Sequence, residues 1–270
     1  MEHYNFVFVV LCYKEHHDLE NLIENLKDTV TSHSYKIIVV NSYFDDFSRD
    51  SIRDIALKND CDFVNVDNRG YGYGNNRGIE FVLSKYNFDF ICICNPDIEF
   101  LKFNPIDFKN FKNKNVILAP QIKTLKNKNQ NPYYYKRNKL VEYLKFRSFN
   151  KNKKILFYLA VVINKISREL VIRLNKDLKK IYACHGSCYF ISSNAIKIIG
   201  LPYNEKMFLF NEEEHLARLA KKLKIDTFMT NQLSVLHYED GSSEDINDKV
   251  YQYMKESYLE NHKNWNGEIG

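Results

Sequence analysis

Asn68-Arg69-Gly70-Tyr71-Gly72-Tyr73-Gly74-Asn75-Asn76 sets three glycines at alternate positions in a chain that has only 9 among 270 residues. Before it, Cys61 to Val66 has strand character. After it, Arg77 to Lys85 carries Ile79, Phe81, Val82 and Leu83 as a helix. The same alternation extends outward. Phe6 to Cys12 and Lys36 to Val40 are continuous apolar runs, as for strands covered on both faces. Glu15 to Val30 places Leu19, Leu22, Ile23 and Leu26 at helical spacing, and Ser48 to Asn59 does so with Ile52, Ile55 and Ala56. Phe90 to Cys94 is a fourth strand, ending at Asn95-Pro96-Asp97. This order predicts the α/β class, with a mostly parallel central sheet flanked by helices. Ligands bind such sheets beyond the carboxyl ends of the strands, where residues 12–15, 41–46, 68–76 and 95–99 fall.

Farther along, Val116 to Pro120 and Cys184 to Ser192 read as strands, Ser193 to Ile199 and Glu212 to Lys222 as helices. Asp226 to Met229 and Ser234 to Leu236 read as two short strands. Four segments result: residues 1–122, 123–180, 181–245 and a helical tail at 246–270. Segment 123–180 holds 17 Lys/Arg and 3 Asp/Glu, while the rest of the chain holds 22 and 31. Within it Leu156, Leu159, Ala160, Ile163, Ile166, Leu170 and Leu174 form an amphipathic helix flanked by Lys153, Lys154, Lys165, Arg168 and Arg173. Such a local excess expects an anionic partner, a phosphate-bearing substrate or an anionic membrane surface, and not nucleic acid. Plain packing on the core is the competing account of the helix. The longest apolar run, Ile155 to Ile163, is shorter than the ~20 residues a bilayer span needs.

Six cysteines lack zinc spacing, and Cys92 and Cys94 alternate on one strand face, so buried free thiols and a reducing cytoplasmic setting are expected. The glycine run is no dinucleotide fingerprint, since it follows the third strand and position 75 is asparagine. Alternate glycines before a helix suit close backbone approach to an anion. Asp97, at a strand end after Pro96, suits a divalent cation that keeps phosphate and water oxygens. Glu212 and Glu213 open a helix behind Phe208-Leu209-Phe210, an aromatic run able to raise a carboxylate toward the range of a general base. His237, after an apolar strand, could add a nitrogen ligand.

Taken together, these stretches resemble the inverting family 2 glycosyltransferases of GT-A fold (Rossmann-like nucleotide-diphospho-sugar transferases), especially the bacterial rhamnosyltransferase-like branch. The resemblance rests on Asn68 to Gly78, on Asn95-Pro96-Asp97, on Gly186 to Glu213 and on His237 to Ser243. It covers about residues 5–122 and 182–245. It implies metal-dependent transfer of a sugar, rhamnose first, from a dTDP- or UDP-sugar to a glycan or lipid-diphosphate-linked acceptor in envelope polysaccharide synthesis. The enzyme would be cytoplasmic and peripheral on the inner face of the membrane. Tyr13, Asn41, Asp46, Asn68, Gly70, Tyr71, Gly72, Gly74, Asn75, Asn76 and Asn95 would bind the donor. Asp97 and His237 would hold Mg2+ or Mn2+, and Glu213, with Glu212 beside it, would be the base. Three departures stand out: Asn41 replaces the acid that meets a pyrimidine base, Glu213 replaces the aspartate base, and His215 replaces a second acid. They leave a non-catalytic or weakly active nucleotide-sugar-binding protein as the alternative.

Overall fold

The computed structural model describes residues 1–14, 16–172, 176–238 and 248–265. Its first half alternates β1 (Glu2–Cys12), α1 (His17–Thr29), β2 (Tyr35–Ser42), α2 (Asp46–Lys58), β3 (Asp62–Val66), α3 (Tyr71–Lys85) and β4 (Tyr86–Cys94). Then come β5 (Ile98–Phe103), α4 (Ile106–Phe111), β6 (Val116–Thr124), α5 (Lys139–Lys151), α6 (Lys154–Ile172) and β7 (Leu178–Ile181). β8 (Cys188–Ser192), α7 (Ser193–Ile199), α8 (Glu212–Lys222), β9 (Asp226–His237) and α9 (Asp248–Asn264) complete it.

One mixed sheet runs β3-β2-β1-β4-β8-β6-β9-β5, with β7 also on β9. β3, β2, β1 and β4 are mutually parallel, so their carboxyl ends share one edge. β8 pairs antiparallel with β4 and with β6. β6 and β9 are parallel, and β5 and β7 lie antiparallel on β9. Period-two alternation divides β1 between two cores. Phe6, Phe8, Val10 and Cys12 enter the layer under α1, α2 and α4, while Val7 and Val9 enter the layer under α3, α7 and α8. Both faces are covered, which is why the strands read as unbroken apolar runs.

Several boundaries differ from the sequence reading. The glycine stretch is not a loop, because α3 already begins at Tyr71. The strand expected over Cys184 to Ser192 starts only at Cys188, and residues 184–187 connect it to the preceding segment. The two strands expected at 226–229 and 234–236 are one, β9. Its register against β6 jumps from Ala119↔Met229 to Gln121↔Ser234, across Pro120, which has no N–H to give the ladder. β5, α4 and β7 were not anticipated. All six cysteines are buried and unpaired.

The basic segment supplies α5 and α6, which pack on each other and, through Phe149, Phe157, Tyr251 and Tyr258, against α9. Among the described residues no helix is long and apolar enough to cross a membrane. Leu156, Ala160 and Ile163 face the core with Phe157. Ile155, Tyr158, Leu159, Val162, Ile166 and Leu170 stay exposed, at 48–75%. Arg168 is not a flank of that face, since its guanidinium donates to the Asn129 carbonyl and burial lowers its pKa. Arg173 and Leu174 lie outside the described residues.

Phe190 of β8 sits at the centre of an aromatic cluster, 4.9 Å from Phe108 and 6.0–6.3 Å from Phe6, Phe8, Phe100 and Phe103. It is fully buried. Phe190→Ala is expected to lower unfolding free energy by about 3–5 kcal/mol, measured by denaturant titration.

Candidate active site

The shared carboxyl edge of β1 to β4 gathers the residues expected to bind a donor. After β1, the exposed ring of Tyr13 meets Phe44 edge-on at 5.6 Å, and Lys14 Nζ lies 3.9 Å over the Phe44 ring. This makes a cationic aromatic shelf. Asn41, at the end of β2, is fully buried. It donates from Nδ2 to Asn65 Oδ1 at 2.7 Å, and its own Oδ1 has no partner. Asn65 on β3 is the exposed member of this amide pair, and the sequence reading missed it. Asp46 is committed to α2: its carboxylate accepts from Arg49 Nη1 at 2.7 Å and Tyr43 OH at 3.0 Å. Asn68 is exposed on the loop after β3.

The three glycines face protein atoms. Gly70 caps α3 at φ +108°, and a Cβ there would lie 2.3 Å from the Phe208 carbonyl oxygen. A Cβ on Gly72 would meet Tyr203 Cβ at 2.8 Å, and one on Gly74 would meet Leu11 Cδ1 at 2.4 Å. Tyr71 N–H donates to Phe208 O at 2.8 Å. Asn76, buried, donates from Nδ2 to the Tyr203 carbonyl at 3.0 Å and to Glu205 Oε1 at 3.1 Å. The glycine run therefore seats α3 between β1 and the 203–210 segment. Each missing side chain admits a neighbouring segment. Asn75 donates to the Tyr71 carbonyl at 3.0 Å, and its buried Oδ1 has no partner.

Past β4, Asn95 N–H donates to the Ser187 carbonyl at 2.9 Å, fixing the 184–187 connection against this edge. Asp97 follows, at the entry to β5. The adjacent β5 and β9 ends, paired through Ile98↔His237, bring Asp97 Oδ2 to 3.3 Å from His237 Nε2. His237 Nδ1 lies 2.8 Å from Gln130 Oε1 and donates to it, which leaves Nε2 as the nitrogen that faces Asp97. Asp97 Oδ1 is buried without a partner. Two donors at right angles on one Mg2+-sized ion, each at about 2.1 Å, would stand about 3.0 Å apart. The pair fits a divalent cation. Among the described residues no group of three or more His, Cys, Asp and Glu could hold a metal. Remaining positions on such an ion would fall to water or phosphate oxygens. Of the late His237 to Ser243 stretch, residues 239–243 lie outside the described residues.

On the other side of the 184–187 connection stands α8. Phe210 and Asn211, immediately before it, both have left-handed backbones at φ +73° and +77°. Such conformations cost about 1 kcal/mol or more each and cluster at functional sites. Glu213, half-buried, holds its Oε1 against Gly186, 3.2 Å from where a Cβ would stand. Burial raises its pKa, while its own backbone N–H and that of Gly186 oppose the rise. Glu212 is buried, with one oxygen unpartnered. Burial, and then the Glu213 charge, push it up to about 8. Tyr71 OH donates to the Gly186 carbonyl at 2.9 Å, joining the first turn of α3 to the same connection. His215 is no acid substitute: it sits between Asn261 Oδ1 (3.1 Å) and the Trp265 indole N–H (3.2 Å).

No family model matches the chain. Over 256 residues it is 23% identical to the low-salt glycan biosynthesis hexosyltransferase Agl10 of Haloferax volcanii, covering 93% of this chain and 73% of that one. Its backbone is similar to that of GalNAc-T7 with UDP, GalNAc and Mn2+, at TM-score 0.67 and 12% identity over 98% of this chain and 49% of that one. It is similar to S. aureus TarS at TM-score 0.54, 12% identity, 88% and 37% coverage. It is similar to the mannosyltransferase PcManGT of Pyrobaculum calidifontis with GDP-Man and Mn2+ at TM-score 0.50, 12% identity, 89% and 59% coverage. The fold is GT-A-like. The chain spans 37–59% of the length of these solved proteins.

Within this GT-A-like frame, the 184–187 connection separates the Asp97–His237 pair from Glu213. Three residues at or beside it escaped the sequence reading. His185 is half-buried, and its Nδ1 accepts from the Ser187 backbone N–H at 3.2 Å, so Nε2 bears the proton. Burial, followed by the His237 charge, lowers its pKa to about 3 and keeps it neutral. Tyr133 and Lys145 also border Glu213, the cation favouring its charged form. An isolated His-Gly pair gives no signal for such a place. Only the antiparallel return of β8 beside β4 creates it.

The carboxylates make a stability prediction. In the unfolded chain Glu212 ionises near 4.5, but in the folded protein it holds its proton to about 8. Between these values the unfolded state loses a proton that the folded state keeps, so stability contributed by the neutral form is lost as pH rises. The slope is about 1.4 kcal/mol per pH unit. Glu212→Gln should remove that slope, unfolding later than the parent at pH 8 and with it near pH 4.5, by thermal melts across this window.

Proposed function

We propose that the chain transfers a sugar from a nucleotide-diphosphate donor to an acceptor hydroxyl, using a divalent cation held by Asp97 and His237 and using Glu213 as the base. The observation that carries this reading is the Asp97–His237 pair, 3.3 Å apart with one carboxylate oxygen unpartnered, opposite a half-buried Glu213 of raised pKa. The similarity to Agl10, a hexosyltransferase, supports the reaction class. Mn2+ with UDP in GalNAc-T7, and Mn2+ with GDP-Man in PcManGT, support the donor and metal.

The nucleoside lies along the carboxyl edge. The Tyr13–Phe44 shelf, with Lys14 above it, offers stacking to a flat base. The Asn65 and Asn41 amides offer donors and acceptors to a pyrimidine imide. The donor is a uracil or thymine nucleotide, with dTDP-rhamnose first and UDP-sugars second. Bound metal supplies Lewis acidity that neutralises the departing diphosphate. Neutral His185 can donate from Nε2 toward that charge. Glu213 accepts the acceptor proton on the face opposite the leaving group, so the displacement inverts the anomeric centre. Its environment sets it up for this: burial weakens the charged form, and the Gly186 N–H keeps ionisation within reach.

The acceptor is a glycan or a lipid-diphosphate-linked sugar presented at an anionic membrane surface. The exposed apolar face of α6 supports this, since Ile155, Leu159, Val162, Ile166 and Leu170 lie along one side of 19 helical residues. Lys151, Lys153 and Lys165 stand exposed beside that face. Each basic residue near an acidic bilayer contributes about 1 kcal/mol.

Asp97→Ala is expected to abolish Mn2+-dependent donor binding, read by calorimetry, with the far-UV spectrum unchanged. Full turnover in excess EDTA would overturn the metal assignment. Glu213→Gln should bind donor but lose at least ~10² in kcat, and the parent's acid limb should lie above pH 4.5, because the base must be ionised. If Glu212→Gln is inactive while Glu213→Gln is active, the base is Glu212. In co-sedimentation the protein should bind anionic vesicles at low salt and release as salt rises. Equal recovery with neutral vesicles, or self-association through this face in their absence, would remove the membrane from the proposal.

A further inference from the structure

Behind α8, away from the candidate base, a cavity of about 200 Å³ is lined by Arg137, Tyr182, Arg218, Lys221 and Lys222. Arg218 follows Glu213 by five residues, which turns it about 140° around the helix and about 7.5 Å along it. Its side chain is 3% exposed. Only Nη2 is used by the protein, at 2.9 Å from Glu214 Oε1 and 3.3 Å from Glu142 Oε2. Nε and Nη1 are buried with no partner, and so is the Tyr182 hydroxyl. Arg137 grips Glu142 through Nε at 2.8 Å and Nη2 at 3.1 Å, so that carboxylate is shared between the two arginines. Among the described residues Lys221 and Lys222 make no ion pair, and Lys222 Nζ lies 5.6 Å over the Trp265 ring.

We propose that this cavity binds a phosphate group. A buried guanidinium with three N–H bonds unanswered is costly to keep. Phosphate oxygens can accept from Nε on one side of the guanidinium or from Nη1 on the other, each as a single charge-assisted hydrogen bond. The charges agree: four cations and two carboxylates surround the space, leaving an excess that a phosphate dianion neutralises. Two sources carry this chemistry, free phosphate and the phosphate ester of a larger ligand such as a prenyl or sugar phosphate. The inference stands apart from the proposed transferase reaction, because neither Asp97, His237 nor Glu213 takes part.

The test uses the full chain and thermal melts in inorganic phosphate, against chloride at equal ionic strength. The parent and the Asp97→Ala variant should both gain Tm in a saturable way, which separates this site from the donor site. Lys221→Gln/Lys222→Gln, changing two exposed side chains, should weaken phosphate at least tenfold. Tyr182→Phe, which removes only the idle hydroxyl, should weaken it severalfold while keeping the melt in chloride. Geranyl phosphate and glucose 1-phosphate then distinguish the sources. At least tenfold tighter binding of either, lost in the lysine variant, assigns an ester, and equal affinity assigns free phosphate. No shift beyond chloride, or an equal shift in parent and lysine variant, would overturn the proposal and leave water as the occupant.

Discussion

The contact on which the site depends is the approach of the Phe208 carbonyl to Gly70. With a positive φ and no Cβ, Gly70 lets the 208–211 segment lie directly on the first turn of α3, where Tyr71 N–H takes the same carbonyl. Everything that reaches the base follows from it. The segment enters α8 through two left-handed residues, Phe210 and Asn211, with Ser257 of α9 donating to the Leu209 carbonyl at 2.8 Å from behind. Glu212 and Glu213 are thereby delivered beside Tyr71 and Gly186. The glycine run thus couples the carboxyl edge of β1 to β4 to the carboxylates of α8, two parts more than a hundred residues apart in the chain.

Five of the underused polar groups lie around that coupling. Asn41 Oδ1, Asn75 Oδ1, Asp97 Oδ1, Asn211 Nδ2 and Glu212 Oε1 are all buried without partners, and all lie on the elements that frame the proposed donor site. Each such group costs about 1–3 kcal/mol relative to a satisfied one. Other buried polar atoms without partners, on Arg77, Arg168, Tyr182, Asn204 and Arg218, lie off these elements. A fold tolerates such a concentration where a ligand answers it, and the aromatic cluster around Phe190 supplies the burial that offsets it.

Much of this was legible in the sequence. The strand–helix alternation to Cys94 was readable because β1 to β4 are covered on both faces and their apolar runs are unbroken. Asp97 could be placed at a strand end from Pro96 alone. His237 could be placed after a strand, but its meeting with Asp97 depends on β5, which the sequence reading did not see. β5 is short, half-exposed and rich in charge, and it owes its existence to pairing with β9. The glycines illustrate a different limit. Their spacing was plain, but whether a missing Cβ faces a ligand or a neighbouring segment is a tertiary fact. Asn65, His185 and Lys145 carry no periodicity or motif, so only the assembled edge reveals them.

α8 shows how one short helix can serve both stability and chemistry. Its 11 residues have three acids in the first turn and two lysines in the last, the arrangement its dipole favours. Yet the acids diverge in environment. Glu214 pairs with Arg218 one turn below, and Arg218 reaches Glu142, itself clamped by Arg137. This buried chain of charges ties α8 to α5 and permits only one rotation of the helix about its axis. In that rotation Glu213 faces Gly186, and Glu212 is left in a dry pocket that favours its proton. The ion pairs are poor sources of net stability, since desolvation consumes most of their attraction. Their effect is to make the alternatives worse, because any turn of α8 that moved Glu213 would strand a buried guanidinium. Specificity of orientation, rather than binding energy, is what the network contributes to the candidate base.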